Sequence, residues 1–394
     1  MRMFTARDRL KLLAGGAALS LTGCGGGGGG TTTPTTPPVV VTPPAPTPTI
    51  FTPTDGQFRN AFTNNFLVGA AAKTEQLSSG SLDAAILSGQ FNSLTAEYQM
   101  KPDIIAPAEG QYNWTAADEL MAFAENNGLQ LRGHTLLWHR TAPNWMLSGS
   151  PAEVKTKLQT YVTDVVTRYK GRIYAWDVVN EVITDDASLG DSYRRSNWWT
   201  ASGGNADYID WAFEAARAAD PDCKLYINDY STEFDDKRDR LITVVQDLLA
   251  RNIPVDGIGH QMHISVSMPA AQVFRAVDAI DNQFMGLEQH ITELDISVYS
   301  DPASCFADMT GCQTDYGDAI PDTVLRDQAL LYRELFNGFT ARSSLSSVTV
   351  WGISDAESWL ADWPVTRTNA PLLWDGDRNA KSALQAILDS SFTP

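Results

Sequence analysis

The sequence has little of what metal and cofactor enzymes use. It contains only four cysteines in 394 residues, and their spacing does not match a zinc site. No glycine-rich phosphate turn follows an early predicted strand, so the signature of a dinucleotide-binding domain is missing. Apolar runs stay well short of the ~20 residues that a bilayer-spanning helix needs. These absences predict a protein that works without a metal and without a cofactor.

Positive charge is also scarce. The 29 Lys and Arg residues are outnumbered by 47 Asp and Glu residues, which gives a formal net charge of −18 at pH 7. A surface this acidic repels phosphate backbones, so we expect no nucleic acid as a partner. A neutral polysaccharide meets no such repulsion and remains a candidate ligand.

The amino-terminal segment differs in composition from the rest of the chain. Basic residues precede an apolar stretch at positions 12–21, which is about half as long as a membrane-spanning helix, so residues 1–23 read as a secretion signal. The tetrapeptide Leu21-Thr22-Gly23-Cys24 resembles the lipobox of bacterial lipoproteins. This resemblance implies that Cys24 becomes an acylated amino terminus. An ordinary cleaved signal with an incidental cysteine is the alternative.

A low-complexity linker follows the signal, at residues 24–54. Six consecutive glycines come first, and a tract rich in threonine and proline comes after them. Such a segment has no apolar face to bury and behaves as a spacer. The sequence therefore predicts a secreted protein, anchored by lipid at the bacterial outer membrane or cell surface, with its folded part held away from the membrane.

The remaining cysteines fall into two environments. Cys305 and Cys312 lie close together in a polar loop, which in an oxidising compartment predicts a disulfide between them. Cys223 precedes an apolar strand and is predicted to be a buried free thiol.

From about residue 57 onward, short β-rich runs alternate with amphipathic helical segments, a pattern typical of a parallel sheet. The eight predicted strands are 66–71, 91–96, 130–137, 173–179, 224–228, 257–263, 290–296 and 348–353. The predicted helices include 116–127, 153–169, 206–219, 236–251, 270–284 and 323–340. Eight β/α pairs predict a (β/α)8 TIM barrel that forms a single catalytic domain, residues 55–394. A doubly wound open sheet is the alternative, but its phosphate-binding turn is missing.

Two glutamates are placed by predicted strands. The fourth strand continues into Asn180 and Glu181, and the seventh carries Glu293 and Asp295 on one face by its period of two. The chemistry of such barrels lies at the carboxyl ends of the strands. Glycosidic cleavage needs an acid that protonates the leaving oxygen and a second carboxylate on the other side of the sugar. A buried ion pair is the alternative interpretation of Glu293, because a charge inside an apolar strand is costly unless it is paired.

Histidines also gather near the predicted strand ends, at positions 134, 139, 260 and 263. Metal chelation is one interpretation, but the odd spacing within each pair puts its members on opposite faces of an extended strand. His134 shares a face with Trp138, and Gln261 shares one with His263. Polar and aromatic pairs of this kind suit sugar hydroxyls and sugar rings.

Two tryptophans lie at the eighth predicted strand beside acidic residues, Trp351 within the strand and Trp359 after it. Either one alone is as well explained by core packing. Their grouping at a strand end favours an apolar wall of a cleft.

Seven motifs, in order along residues 58–392, resemble the glycoside hydrolase family 10 xylanases. They are Ala96-Glu97-Tyr98-Gln99-Met100-Lys101, positions 133–139, 176–181, 226–230, 259–263 and 292–295, and Trp351 with Trp359. The resemblance implies a retaining endo-1,4-β-xylanase on a (β/α)8 barrel, without a cofactor and monomeric. Its implied substrates are xylan, arabinoxylan or glucuronoxylan, and xylo-oligosaccharides.

The resemblance also implies roles for single residues. Glu181 matches the acid/base and Glu293 the nucleophile, and we expect the charge of Glu293 to raise the pKa of Glu181. Asn180 matches the donor to the sugar 2-hydroxyl. Gln261 and His263 match groups that hold the nucleophile, with Asp295 in support.

Substrate-binding positions follow from the same resemblance. They are Glu97, Tyr98, Lys101, His134, Trp138, Tyr230, Trp351 and Trp359. The sequence departs from the family at Tyr98, where asparagine is usual, and at Thr141, where a glutamine is often found. These changes touch substrate binding more than bond breaking, and they suggest a preference for decorated chains or a shorter product.

Two other functions also fit the sequence. One is a related retaining β-1,4-glucanase on the same barrel. The other is a surface lipoprotein that binds glycan without cutting it, although a binding protein has no need of the glutamate pair.

Overall fold

The computed structural model describes residues 51–317 and 319–394. The predicted signal segment, Cys24 and the linker up to residue 50 lie outside this part of the chain. Within it, every helix is too short or too polar to cross a membrane.

The described residues form nine parallel strands. They are β1 (Leu67–Ala72), β2 (Ser93–Ala96), β3 (Gln130–Trp138), β4 (Ile173–Asn180), β5 (Lys224–Asp229), β6 (Gly257–His260), β7 (His263–Ser265), β8 (Glu288–Ser297) and β9 (Leu345–Val350). Strands β1 to β6 pair in chain order, β6 pairs with β8, β8 with β9, and β9 with β1. The pairing closes an eight-stranded barrel, and β7 is added on the edge of β8 beyond it. The predicted (β/α)8 architecture is confirmed.

Helices of the described part surround this barrel. They are α1 (Gln57–Ala61), α2 (Leu82–Gln90), α3 (Pro102–Ile105), α4 (Thr115–Asn126), α5 (Pro151–Arg168), α6 (Asn197–Ala201), α7 (Asp207–Ala219), α8 (Asp235–Ala250), α9 (Ala270–Gln283), α10 (Ala303–Asp308), α11 (Asp322–Phe339) and α12 (Ser382–Leu388). The six predicted helices correspond to α4, α5, α7, α8, α9 and α11, with ends within two residues of the prediction. The short helices α1, α3, α6 and α10 carry too little periodicity to be predicted from the pattern.

Helix α5 shows how local sequence sets these boundaries. Ser150 caps its first turn, where the Glu153 carboxylate accepts the Ser150 backbone N–H at 2.7 Å, and Pro151 occupies the first helical position. Its buried face, which repeats at helical spacing, consists of Val154, Leu158, Tyr161, Val162, Val165 and Val166. The helix therefore starts where its cap lies and packs by one apolar face.

The sixth predicted strand, 257–263, is wrong as a single element. The structure divides it into β6 and β7, and Met262 between them has φ 60°. A left-handed residue turns the chain out of the extended conformation, so β-pairing stops there. As a result, the period-two rule that we applied across positions 260–263 does not hold, and each side chain has to be placed individually.

A polar group fills part of the barrel interior. Arg132 is buried and forms a two-pronged ion pair with Asp177, with one of the two bonds at 2.6 Å. Its Nε donates to Nδ1 of His290 at 3.1 Å, and the His290 ring stacks on Tyr226 with centroids 4.2 Å apart. Burial alone would raise the pKa of Asp177, but the charges and hydrogen bonds of Arg132 and His134 hold it below its usual value. Asp177 is therefore an ionised anchor beneath the catalytic end of the barrel.

The predicted disulfide between Cys305 and Cys312 is present, in the loop that follows β8. Cys223 is the free cysteine of the described residues and is buried, as predicted. Burial raises the pKa of its thiol to about 12. At neutral pH this thiol is protonated, and only its thiolate form would be reactive.

Candidate active site

Glu181 stands directly after β4 in an unusual backbone conformation. Its φ is 59°, which non-glycine residues rarely adopt. The backbone N–H of Glu181 donates to the carbonyl of Asn228 at the end of β5, at 2.9 Å. The side chain is 9% exposed, so the carboxyl group sits in a nearly dry site that still opens to solvent.

Glu293 lies within β8 and is held by hydrogen-bond donors on both of its oxygens. The amide Nδ2 of Asn228 donates to Oε1 at 2.8 Å, and Nε2 of His263 lies 3.2 Å from Oε2. Nδ1 of His263 lies 2.9 Å from Asp295 on the same strand. Glu293 is thus fixed between β5 and β7 with its charge compensated.

Asn228 is a site residue to which sequence reasoning gave no role. The Thr292 hydroxyl donates to its Oδ1 at 2.7 Å, which turns its NH2 group toward Asn180 at 2.9 Å and toward Glu293. Gly259 leaves room for this amide, because a Cβ there would lie 2.3 Å from Asn228 Oδ1. The available signal was its position at the end of β5, since Asn180 at the end of β4 was selected on that ground.

Gln261 contacts both glutamates. Its amide Nε2 reaches Asn180 at 3.2 Å and Glu181 at 3.4 Å, and its backbone carbonyl accepts the backbone N–H of Glu293 at 3.0 Å. The break between β6 and β7 turns its side chain toward the first glutamate. Oδ1 of Asn180 accepts from both Asn228 and Gln261. Its own NH2 group is therefore the part of Asn180 available to a ligand.

The pKa values of the two glutamates shift in opposite directions. The pKa of Glu181 is raised, first by burial and then by the charges of Asp229 and Glu293, while Trp138 and Arg194 act in the opposite sense. Our expectation named Glu293 as the cause, which is wrong in emphasis: desolvation is larger, and Asp229 precedes Glu293.

The surroundings of Glu293 lower its pKa. Burial works to raise its pKa, but the hydrogen bond from His263 and the charges of His134 and His263 lower it below the usual value. The pKa of His263 itself rises to about 10, since Asp295 and Glu293 outweigh the effect of burial. At neutral pH the site therefore holds an ionised Glu293 and a protonated His263, beside a Glu181 whose raised pKa favours its protonated form.

One flank of the site contains four predicted substrate-binding residues, Glu97, Tyr98, Lys101 and Trp138. The Lys101 ammonium lies 4.6 Å from the ring centre of Tyr98 and 4.8 Å from that of Trp138. Glu97 is buried and pairs with Lys73 at 3.6 Å. Tyr98 is the exception, at 45% exposed. The position where the sequence departs from its family is therefore the most solvent-exposed of the four.

The predicted tryptophans lie against histidines. Trp351 makes an edge contact with His134, with ring centres 5.3 Å apart, and Trp359 makes one with His263 at 5.0 Å. The indole N–H of Trp359 also donates to Asp295 at 2.8 Å. These contacts place both indole rings against histidines, and one of them, His263, bonds Glu293.

Tyr230 lies on the opposite flank with its hydroxyl already in use. It donates to Asp185 and accepts from Arg194 at 2.7 Å, and the Lys237 ammonium lies 4.1 Å from its ring centre. These contacts fix the Tyr230 side chain, and its predicted role in substrate binding stays a prediction. Thr141 is half-buried in the turn after β3, where its backbone N–H donates to Trp138 at 3.3 Å.

The chemistry available at this site is acid–base and nucleophilic. A carboxyl group with a raised pKa and one with a lowered pKa lie among aromatic rings and hydrogen-bonding groups, which are the parts that glycosidic cleavage requires. Across residues 51–317 and 319–394, no three His, Cys, Asp or Glu side chains are grouped so as to hold a metal ion.

Comparison with known proteins agrees with this geometry. The sequence profile described as glycosyl hydrolase family 10 matches residues 57–390. A thermostable celloxylanase from Thermoclostridium stercorarium is 40% identical over 351 residues, which cover 84% of this chain and 86% of the relative. Endo-1,4-beta-xylanase A from Halalkalibacterium halodurans is 38% identical over 352 residues, covering 83% and 85%.

A solved structure gives the same result at the level of the fold. The crystal structure of xylanase B from Clostridium stercorarium F9 superimposes with a TM-score of 0.77 and 38% sequence identity. The superposition covers 86% of this chain and 100% of that chain.

Proposed function

This chain belongs to glycosyl hydrolase family 10, and from that membership we propose that it is an endo-1,4-β-xylanase that hydrolyses internal xylosidic bonds with retention of configuration. The observation that carries the proposal is the pair of buried glutamates whose pKa values shift apart, up for Glu181 and down for Glu293. The similar proteins from T. stercorarium and H. halodurans, which are named as celloxylanase and xylanase, support xylan and xylo-oligosaccharides as substrates.

In the first step, Glu293 attacks the anomeric carbon while Glu181 gives its proton to the departing glycosidic oxygen. A bond forms between the Glu293 oxygen and the sugar, and the bond to the leaving chain breaks with its electron pair. In the second step, the now ionised Glu181 takes a proton from water, and the water oxygen displaces Glu293 from the sugar. Two inversions at one carbon retain its configuration.

The neighbouring residues prepare these steps. His263 and Asn228 stabilise the ionised Glu293 before attack, and Asp295 keeps His263 protonated. The free NH2 group of Asn180 donates to the 2-hydroxyl of the sugar under attack. Other groups bind the neighbouring sugars. They are Glu97, Tyr98, Lys101, His134, Trp138, Trp351 and Trp359.

The proposal extends to where the enzyme works. Residues 1–23 act as a lipoprotein signal, and Cys24 carries the lipid that anchors a monomeric enzyme at the outer membrane or cell surface. The charge of −18 suits polysaccharides, including arabinoxylan and glucuronoxylan, over nucleic acid. Metabolic labelling with a radioactive fatty acid tests the anchor. Label should enter the wild type and not Cys24→Ser, and a labelled Cys24→Ser protein would refute it.

Two measurements test the activity. Release of reducing sugar from xylan should exceed that from soluble cellulose, because xylose lacks the C6 hydroxymethyl group of glucose. The reverse preference would indicate a β-1,4-glucanase, and no release from either would indicate a glycan-binding lipoprotein.

A third measurement tests the residue roles. Inactivation with a 2-deoxy-2-fluoro-xylobioside, followed by peptide mass analysis, should place the sugar on Glu293. A label on another carboxylate, or an inverted anomer in the first product seen by NMR, would refute the mechanism.

A further inference from the structure

The general acid, Glu181, has a backbone conformation that is unfavourable for a residue other than glycine. Glu181 has φ 59°, in the left-handed region where a side chain with a Cβ is strained. Such a conformation persists only when surrounding contacts determine it. The question is which contacts those are, since Asn180 and Gln261 touch the side-chain environment and not the backbone beyond Glu181.

Two charged side chains bind the backbone here. Arg194 Nε donates to the carbonyl oxygen of Glu181 itself at 2.7 Å. Asp229 accepts the backbone N–H of Ile183 at 3.0 Å, two residues further along the chain. The Arg194 N–H also donates to the Val182 carbonyl at 2.8 Å, so the segment that leaves Glu181 is bonded at every residue.

Both side chains are anchored in turn. Arg194 Nη2 donates to the Tyr230 hydroxyl at 2.7 Å and pairs with Asp185 at 3.0 Å. Asp229 is fully buried and lies 3.1 Å from the Lys237 ammonium, which also donates to the Ile183 carbonyl at 3.0 Å. Asp229 and Lys237 are both buried, and a buried charge pair of this kind keeps its geometry because each member is paired.

We propose that Arg194 and Asp229 are positioning residues that fix the backbone on the exit side of Glu181 and thereby aim its carboxyl group at the leaving oxygen. The inference rests on the proposed function, in which Glu181 is the acid. Neither side chain is required to touch the substrate. Their effect reaches the reaction through the orientation of Glu181 and through their charges beside it.

The charges act in opposite directions. Asp229 raises the pKa of Glu181 and Arg194 lowers it. Removing the cation should therefore raise the pKa of Glu181, and removing the anion should lower it. The other groups that face Glu181 are Trp138 from β3, Glu293 from β8, Gln261 from the segment between β6 and β7, and Lys101 from the segment after β2. These remain in place in each variant, so the two shifts can be compared directly.

The decisive measurement is kcat/KM on two aryl β-xylobiosides, one with a dinitrophenol and one with a phenol leaving group. Dinitrophenolate departs without a proton, whereas phenol needs the acid. Arg194→Met should lose about 10- to 100-fold on the phenyl substrate, part of the 10²–10⁴ that a positioned acid supplies, and only about threefold or less on the dinitrophenyl substrate. A residue that merely supports the fold would lower both rates equally.

The neighbouring arginine provides a matched control. Arg195 pairs with Asp191 at 2.7 Å and covers Trp199, without a bond to Glu181. Arg195→Met should keep the wild-type ratio between the two substrates. Arg194→Lys retains the charge but cannot bridge the Glu181 carbonyl and the Tyr230 hydroxyl together, so it should restore the pH profile and only part of the rate.

The pH profile separates positioning from charge. The basic limb of kcat/KM should move to higher pH in Arg194→Met and to lower pH in Asp229→Asn, because the active enzyme carries protonated Glu181. If Arg194→Met does not fold, Arg194→Lys and Tyr230→Phe answer the question by their substrate ratios. Equal losses on both substrates in an active, folded variant overturn the inference. A wild type that cleaves neither substrate nor xylan overturns the proposed function instead.

Discussion

Glu181 and Glu293 are the same amino acid at the same end of one barrel, and their surroundings differ in the number of donors. Glu293 receives Asn228 on one oxygen and protonated His263 on the other, at 2.8 and 3.2 Å. Glu181 has a long contact to the Gln261 amide, at 3.4 Å, and the neutral indole of Trp138 also lowers its pKa. Both are buried, so burial alone would raise both pKa values.

The comparison shows that the hydrogen-bond donors, and not the depth of the site, separate the two roles. A carboxylate with charged and amide donors is stable as an anion and can act as a nucleophile. A carboxyl group that is desolvated without such donors keeps its proton and can act as an acid. The division depends on a few side chains, and each can be changed by mutation.

The largest effect should come from removing the nucleophile. We expect Glu293→Ala to lower kcat on xylan by about 10⁵-fold, because no other carboxylate can form the glycosyl-enzyme bond. A matched control lies at the other end of the same strand, where Glu288 pairs with Lys224 at 2.7 Å, far from the reaction. Glu288→Gln should keep its activity. Substantial xylan hydrolysis by Glu293→Ala would refute the assigned role.

Removing the acid should cost less and in a substrate-dependent way. Glu181→Ala should lose about 10²- to 10⁴-fold on xylan, the usual contribution of general acid catalysis. The loss in kcat/KM should be small for a dinitrophenyl xylobioside, since that leaving group departs unprotonated. Azide should then raise turnover and give a β-xylosyl azide, because it replaces the water that Glu181 no longer activates. An α-azide product would place the acid and the nucleophile the other way round.

The sequence predicts those parts of the two environments that leave a pattern among neighbouring residues. Asn180 with Glu181, and Glu293 with Asp295, were predicted because each lies beside an apolar strand run, which is a local pattern. The barrel was predicted for the same reason, from eight such runs. Asn228 received no role, although it too ends a strand, because its partner Glu293 lies 65 residues away.

Other features depend on three-dimensional packing that no local pattern records. The break at Met262 interrupts a run that reads as one strand, and it turns Gln261 toward Glu181. Desolvation of Glu181 depends on the whole barrel, so sequence reasoning gave the direction of its pKa but assigned the shift to Glu293 instead of burial. Arg194 was missed because it reaches Glu181 through a backbone carbonyl, and backbone groups leave no mark in the sequence.

The donors of Glu293 provide an intermediate test. His263→Gln removes the protonated imidazole, so the pKa of Glu293 should rise and the acidic limb of kcat/KM should move to higher pH. The sign follows from the active form, which needs Glu293 ionised. Loss of a charged hydrogen bond should lower kcat/KM at neutral pH by about 10- to 100-fold.

Asp295→Asn should shift the acidic limb of kcat/KM in the same direction, since His263 then loses the partner that keeps its pKa near 10. An acidic limb that stays in place in both variants would show that His263 does not set the charge of Glu293.

The smallest effect should come from Tyr98, which is not among the residues that bond Glu181 or Glu293. The residue is 45% exposed, and its ring centre lies 4.6 Å from the Lys101 ammonium, so we expect it to contact sugars without reaching the reacting atoms. Tyr98→Ala should raise KM for linear xylohexaose by about two- to fivefold, the scale of an exposed cation–π or stacking contact, and leave kcat unchanged. Tyr98→Phe keeps the ring and should match the wild type.

Tyr98→Asn restores the residue usual in the family and should change the ratio of KM values for linear and branched xylan, because an amide binds sugar hydroxyls where a ring contacts the sugar face. A fall in kcat of tenfold or more in Tyr98→Ala, with KM unchanged, would mean that Tyr98 influences Glu181 or Glu293. The assignment of Tyr98 to sugar binding alone would then be wrong.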